Sequence, residues 1–216
     1  MNIPIVYEDE NILIIDKPAG ILVHPSTSSG QVPEKTLIDY FPGAKLVHRL
    51  DRDTSGLLLL AKNQEIQNWL RDQFKNRKIT KKYIALVHEK LKDKTGIITK
   101  TISRSRKKGR IQTTAPIGKK REAITRYKVL KEFNNYDLIE VIPETGRTHQ
   151  IRVHLASIGH PIAGDLQYKF KRQQEPEGLN RQFLHAYYLR FQMPDGIIKE
   201  FHSKLPEDLN KVLENV

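Results

Sequence analysis

Two carboxylates and two guanidinium groups crowd into one short turn. Arg49, Asp51, Arg52 and Asp53 stand between His48 and the pair Thr54-Ser55, and the apolar run Leu57-Leu58-Leu59-Leu60 follows after Gly56. A polar turn that opens straight into a buried strand lies at the mouth of a core, where it can hold a carboxylate rigidly beside a ligand. Thr54 and Ser55 can satisfy local backbone donors, and Gly56 permits a sharp turn into the strand. The same residues are equally consistent with a structural Asp–Arg turn. The spacing of Asp51 and Asp53 is weak evidence for a metal pair, and two flanking arginines oppose cation binding.

A second chemical segment reads Pro143-Glu144-Thr145-Gly146-Arg147-Thr148-His149-Gln150-Ile151-Arg152-Val153-His154-Leu155. It sets a Gly146-Arg147 turn at a helix start, where backbone donors and the helix dipole welcome an anion. Arg152 falls on a helix face different from that of Ile151 and Leu155. A buried arginine there requires a carboxylate partner. His48, His149 and His154 lack a ligand-spaced, carboxylate-rich pattern, so they read as cap, core or ligand-contacting groups and not as a metal set.

The elements that must position these groups are legible as periodicities. Ile12 to Ile15 is an apolar run of strand length, stopped by the Pro18–Gly20 turn, and Ile21 to Val23 reads as a resumed apolar strand. Leu57 to Leu60 reads as a buried strand. Asn63 is placed to cap a helix running to about Lys75, with Ile66, Leu70 and Phe74 on one face. Tyr83 to Val87, Ile124 to Leu130, Leu138 to Ile142, Phe183 to Phe191 and Ile197 to Phe201 read as strands. Thr148 to Ile158 reads as a helix closed by Gly159, with Pro161 beyond it. Many strands with few helices predict an α+β fold rather than a regular β-α-β alternation.

With 216 residues, 38% of them hydrophobic and 29% charged, the chain suits a single folded domain. There are no cysteines, which excludes disulfides, thiolate nucleophiles and cysteine-ligated metal. No signal pattern and no apolar run of bilayer length is present, so a cytoplasmic protein is expected, with no membrane partner. The formal net charge of +12 attracts polyanions, and nucleic acid is the first candidate. Residues 94–121 carry ten basic side chains and no acidic one, Arg104, Arg106, Lys107, Lys108 and Arg110 among them. Charge of that density points to phosphate contact. The alternation of Ile111, Thr113 and Ala115 predicts a basic hairpin. Residues 71–82 hold a second basic group interrupted only by Asp72.

Residues 48–56, His-Arg-Leu-Asp-Arg-Asp-Thr-Ser-Gly, resemble the HRLDxxTSG signature of RluA-type RNA pseudouridine synthases. Lys17-Pro18-Ala19-Gly20 resembles the early KPxG element of that family. Lys82-Tyr83-Ile84-Ala85-Leu86-Val87 resembles the segment bearing its active-site tyrosine. Residues 146–155 and 159–165 resemble its GRTHQIRVHL and GHPIxGD elements. These matches stand in the family's order from Tyr7 to about Phe201.

The resemblance implies a pseudouridine synthase catalytic fold: a mixed, mainly antiparallel sheet with flanking helices and loops. It implies Asp51 as catalytic aspartate, Tyr83 as the ring packed on the target base, and Arg152 as the partner of the catalytic carboxylate. Arg49 then enters the space left by a flipped base. Arg147 and the basic stretch are expected on RNA, and Leu50 and Leu57 as apolar walls around the detached ring. Ribosomal RNA, transfer RNA or both are the implied partners, with no obligate protein partner and a monomeric state. No cofactor and no metal are expected, since breaking and re-forming a bond within one molecule is an isomerisation. Many relatives carry an N-terminal S4 domain. Here a single catalytic domain over residues 1–216 without one is expected. A non-catalytic RNA-binding module of the same fold is the alternative, and the trio Asp51, Tyr83 and Arg152 argues against it.

Overall fold

The computed structural model describes residues 2–24, 35–105, 111–115, 120–171 and 173–216. Along the chain come β1 (Ile5–Glu8), β2 (Ile12–Lys17), α1 (Leu37–Tyr40), β3 (Lys45–Leu46), β4 (Ser55–Ala61), α2 (Gln64–Lys75), β5 (Thr80–His88) and β6 (Thr95–Thr99). They are followed by β7 (Ser103–Arg104), β8 (Gln112–Thr113), β9 (Ile124–Glu132), β10 (Tyr136–Pro143), α3 (Gln150–Ser157), β11 (Leu184–Gln192), β12 (Ile198–His202) and α4 (Glu207–Glu214). The chain divides into two compact units, Met1–Ile79 with Tyr188–Ser203, and Thr80–Tyr187 with Lys204–Val216.

In the first unit β4 is buried along its whole length, so its four leucines are needed on both faces. β2 pairs antiparallel with it from Ile12↔Ala61 to Lys17↔Gly56, β1 pairs with β2, and β3 also pairs with β4. The end of β11 pairs with β12 from Tyr188↔His202 to Gln192↔Ile198. Asn63 caps α2 as predicted, its side-chain oxygen accepting from the Ile66 amide at 2.9 Å. The helix ends on Arg77 at φ 58°, and the Lys78 amide returns to the Gln73 carbonyl at 2.9 Å. Ile66 and Leu70 from α2 join Ile12, Ile14, Leu57, Leu59, Leu189 and Phe191 in one core cluster. Ile21 to Val23 do not form the expected strand. The Ile21 carbonyl accepts from Lys17 Nζ and the Leu22 carbonyl from the Leu37 amide, so these acceptors serve a turn and not a ladder.

In the second unit β5 pairs with β10, β10 with β9 and β9 with β6, all antiparallel. Alternate residues of β10 are buried, which is the period-2 pattern of a strand packed on one face. Where a basic hairpin was expected, β7 pairs antiparallel with β8 and the Ser105 amide donates to the Ile111 carbonyl, while residues 106–110 lie outside the described residues. Gly159 closes α3 at φ +95°, with the His160 amide on the Leu155 carbonyl at 3.0 Å. Among the described residues no helix is long and apolar enough to cross a membrane.

Burial decides which substitutions matter here. Leu59→Ala, in a fully buried site, is expected to cost about 2–5 kcal/mol. Ile97→Ala, at a position more than half exposed, should stay within about 0.5 kcal/mol of wild type. Urea midpoints at constant m-value check both figures.

Candidate active site

The turn that carries Asp51 is tied to the chain from two sides. The Thr54 amide donates to the Asp51 carbonyl at 3.2 Å and closes the turn. The Gly20 amide donates to the Arg52 carbonyl at 2.9 Å, and Arg52 Nε donates back to the Gly20 carbonyl at 3.1 Å. Beneath both turns lies Lys17, with no exposed surface. Its Nζ donates to the carbonyls of Pro18 at 2.8 Å, Ile21 at 3.1 Å and Arg52 at 2.9 Å. A buried ammonium is tolerable only when its donors are met. Meeting them here locks residues 17–21 to residues 51–54, so Asp51 stands on backbone that cannot drift. Gly56 takes φ +115°, which a side chain would resist, at the start of β4. Asp51 is half-buried, Arg49 and Asp53 are exposed, and Leu50 and Leu57 are buried. His48 is half-buried: its Nε2 accepts from the Leu59 amide at 3.0 Å and its ring stacks on Phe74 at 4.7 Å.

Arg152, Tyr83, Arg147 and Arg104 belong to the second unit. α3 shows why Arg152 can be buried: residues 150–155 are buried on every side of the helix. Within its own unit, buried Arg152 has a carboxylate partner in Asp165. Arg152 Nε donates to Oδ2 at 2.6 Å and Nη2 to Oδ1 at 2.9 Å, a two-pronged pair with almost no exposure on either partner. Nη2 also reaches Gln167 Oε1 at 3.0 Å, and the Tyr168 ring lies 5.1 Å from the guanidinium carbon. Asp165 Oδ1 further accepts from the amides of Gln167 and Tyr168.

The helix start differs from expectation. The anion-welcoming turn is already used internally, because the Arg147 amide donates to Gln150 Oε1 at 3.0 Å. Gln150 also takes the Thr145 hydroxyl at 2.7 Å and donates to the Ile124 carbonyl and to Thr125 Oγ1. Arg147 Nε donates to the Glu122 carbonyl. His149 precedes the helix at φ 52°, with Nδ1 at 3.0 Å from Tyr168 Oη. His154 is fully buried between Thr125 Oγ1 at 2.9 Å and the Lys100 carbonyl at 3.0 Å. Among the described residues no group of His, Asp and Glu is arranged to hold a metal.

Tyr83 is buried in β5 opposite Val141. Arg104 is exposed at the end of β7. Arg106, Lys107, Lys108 and Arg110 lie outside the described residues. Other members of the basic groups have protein partners. Lys94 pairs with Glu132 at 2.8 Å, Lys100 donates to the Ser157 carbonyl, Arg71 to the Leu46 carbonyl, and Lys82 lies 3.3 Å from Glu140. Burial pushes the Lys81 ammonium down to about 8.

Sequence reasoning assigned Lys17 no role beyond its turn and did not single out Asp165, Gln150 or Tyr168. A lysine ending an apolar run was the available signal for Lys17, since a charge there must find partners or break the strand.

Two measurements test this geometry. Asp165→Leu and Arg152→Met each strand a buried charge and should each cost about 3–5 kcal/mol. The double variant Arg152→Met/Asp165→Leu should fall short of their sum by about 1–3 kcal/mol, read from urea unfolding as a double-mutant cycle. His154 supplies a pH test. Burial lowers its proton affinity, and the nearby Lys100 charge adds to this. The unfolded chain therefore takes up a proton near pH 6.5 that the folded protein refuses. Its contribution to stability is intact above that pH and declines as the pH falls below it. His154→Gln should flatten this part of the acid limb.

Residues 11–157 match the family described as RNA pseudouridylate synthase. The chain is 38% identical over 227 residues to the uncharacterized RNA pseudouridine synthase YlyB of Bacillus subtilis (strain 168), spanning 100% of this chain and 73% of that protein. It is 37% identical over 234 residues to ribosomal large subunit pseudouridine synthase D of Escherichia coli (strain K12), spanning 97% and 69%. Among solved structures, human RNA Pseudouridylate Synthase Domain Containing 1 superposes with a TM-score of 0.81 at 28% identity, over 98% of this chain and 87% of that one. Human RNA Pseudouridylate Synthase Domain Containing 4 gives 0.78 at 25% identity, over 98% and 92%. With its mainly antiparallel sheet pairing and its ordered motifs, the chain belongs to the RluA-type RNA pseudouridylate synthases, isomerases that act on uridine in RNA.

Proposed function

We propose that the chain isomerises specific uridines of ribosomal RNA, transfer RNA or both. It does so in the cytoplasm, as a monomer and as one catalytic domain over residues 1–216, with Asp51 as its catalytic carboxylate. The observation that carries this reading is the Lys17 cradle. A fully buried ammonium donates to three carbonyls, one of them belonging to Arg52, the neighbour of Asp51. Such construction under an otherwise polar turn makes sense if a group on the turn must be held in place. Ribosomal RNA is favoured as substrate by relatives whose names specify the large ribosomal subunit.

The reaction breaks the bond from C1′ to N1 of uracil, turns the ring, and joins C1′ to C5. The proton on C5 leaves and N1 gains one, so atoms balance with no outside reductant or oxidant. The target nucleotide leaves its stack to be reached. Asp51 acts as nucleophile or base, and Arg152 is the partner of that carboxylate. Tyr83 holds the detached ring by its aromatic face, and its hydroxyl or Asp51 assists departure of the C5 proton. Leu50 and Leu57 wall the ring. Arg49 fills the gap left by the flipped base, while Arg104, Arg106, Lys107, Lys108, Arg110 and Arg147 meet phosphates.

The test uses ribosomal RNA and transfer RNA carrying tritium at uridine C5. Wild type should release tritium, and in unlabelled RNA it should leave a uridine isomer of unchanged mass that reacts with carbodiimide. Asp51→Asn should fold and bind RNA like wild type while release drops by about a hundredfold or more. Near-normal release by that variant removes Asp51 from the chemistry. An abasic product in place of pseudouridine removes the isomerase reading itself.

A further inference from the structure

The segment that follows Asp165 has two sides. Its inner side is the Arg152 mount already described: Asp165, the Gln167 side chain and the Tyr168 ring. Tyr168 is further fixed because its hydroxyl accepts from the Gln112 amide of β8 at 3.0 Å and meets His149 Nδ1. The backbone is pinned as well, with the Lys169 amide on the Asp165 carbonyl and the Phe170 amide on Gln173 Oε1 at 3.0 Å. Gly164, just before it, takes φ +77°, and a Cβ there would lie 2.1 Å from the Arg181 carbonyl oxygen, so the backbone is committed to this path.

The outer side of the same segment does the opposite of what apolar residues ordinarily do. Leu166 is 78% exposed, the largest value among the exposed large apolar side chains of the described residues, and Phe170 is 47% exposed. One exposed apolar side chain needs no explanation. Two of them on a pinned segment, with exposed Lys169 and Lys171 on either side of the aromatic, form a pattern. Lys169 is only loosely engaged, 3.8 Å from Glu175. An exposed ring flanked by ammonium groups matches an unpaired base with its phosphates, because the ring offers a stacking face and the lysines offer counter-charge. It matches a greasy protein patch less well, since interface cores are depleted of lysine.

We propose that residues 166–171 form a contact for single-stranded RNA, in which Phe170 stacks on an unpaired base, Lys169 and Lys171 meet the adjoining phosphates, and Leu166 packs beside the stacked base. The proposal rests on the reading of this chain as an RNA-acting enzyme and adds a site to it. Since Asp165 and Tyr168 hold Arg152 from the same segment, RNA seated here is registered directly against that arginine.

The probe is oligouridine RNA, with its duplex with oligoadenosine as the paired control. Phe170→Ala should weaken oligouridine binding by about tenfold, the loss of one base stack, and leave duplex binding nearly unchanged. Phe170→Trp keeps a stacking face and should bind like wild type. The fluorescence that this variant adds to that of the single native Trp69 should be quenched when oligouridine binds. Unchanged affinity in Phe170→Ala, no quenching of the added signal in Phe170→Trp, or no binding of oligouridine by wild type overturns the proposal. So does a Phe170→Ala effect on sedimentation of the RNA-free protein with none on RNA affinity, which would make the patch a contact between copies of the chain. Binding is read without turnover. A Phe170→Trp variant that shows the quench, with a wild type that forms no pseudouridine in the tritium assay, therefore sinks the enzymatic reading alone.

Discussion

A charge removed from water must be met by opposite charge or by a full set of hydrogen bonds, and the construction of this protein follows from that constraint in both units. Lys17 satisfies it with backbone carbonyls, Arg152 with a carboxylate. The two solutions have different consequences. Carbonyls belong to the main chain, so Lys17 fixes the path of two turns at once. A carboxylate belongs to a side chain, so Asp165 fixes the orientation of one guanidinium. In each case the bonds that offset burial of a charge also place the neighbouring atoms.

The two placements need different supports. The turn of Asp51 is backed by β4, whose residues are all buried and which pairs with the whole of β2, as far as Lys17↔Gly56. Arg152 stands on α3, which is short and cannot be stable by itself. It is held by packing and by side-chain bonds at both ends: Gln150 staples its first turn to Thr145, Ile124 and Thr125, and His154 ties its last turn to Thr125 and Lys100. The loop between Ile162 and Lys171 supplies the remaining side of that arginine's surroundings.

Much of this was legible in the sequence because the deciding interactions are local. The Asn63 cap lies three residues from the amide it satisfies, the alternation of β9 and β10 is visible in eight or nine residues, and Gly159 ends its helix from just beyond its last turn. The motif around Asp51 was legible for another reason, the density of chemically unusual residue types in one turn. What stayed hidden is nonlocal. Ile21 to Val23 have strand composition, yet their carbonyls are claimed by Lys17 and Leu37. That Arg152 needs an acid follows from its position, whereas that Asp165 supplies one depends on how the chain returns after Gly159. The lysines and arginines of residues 71–82 and 94–121 read as two basic groups because composition cannot distinguish an ammonium facing solvent from one bonded to Glu132 or the Ser157 carbonyl.

The bond between His48 and β4 fixes more than a side chain. A main-chain amide can only donate, so Nε2 of His48 must present its lone pair to Leu59. The ring is thereby held as the tautomer with its proton on Nδ1, and an imidazolium could not make this bond. The histidine that opens the motif is thus unavailable as a proton carrier at Nε2 while β4 is formed. Its ring nitrogens become a spectroscopic marker, distinct by nitrogen-15 shift, of whether the strand behind Asp51 is intact.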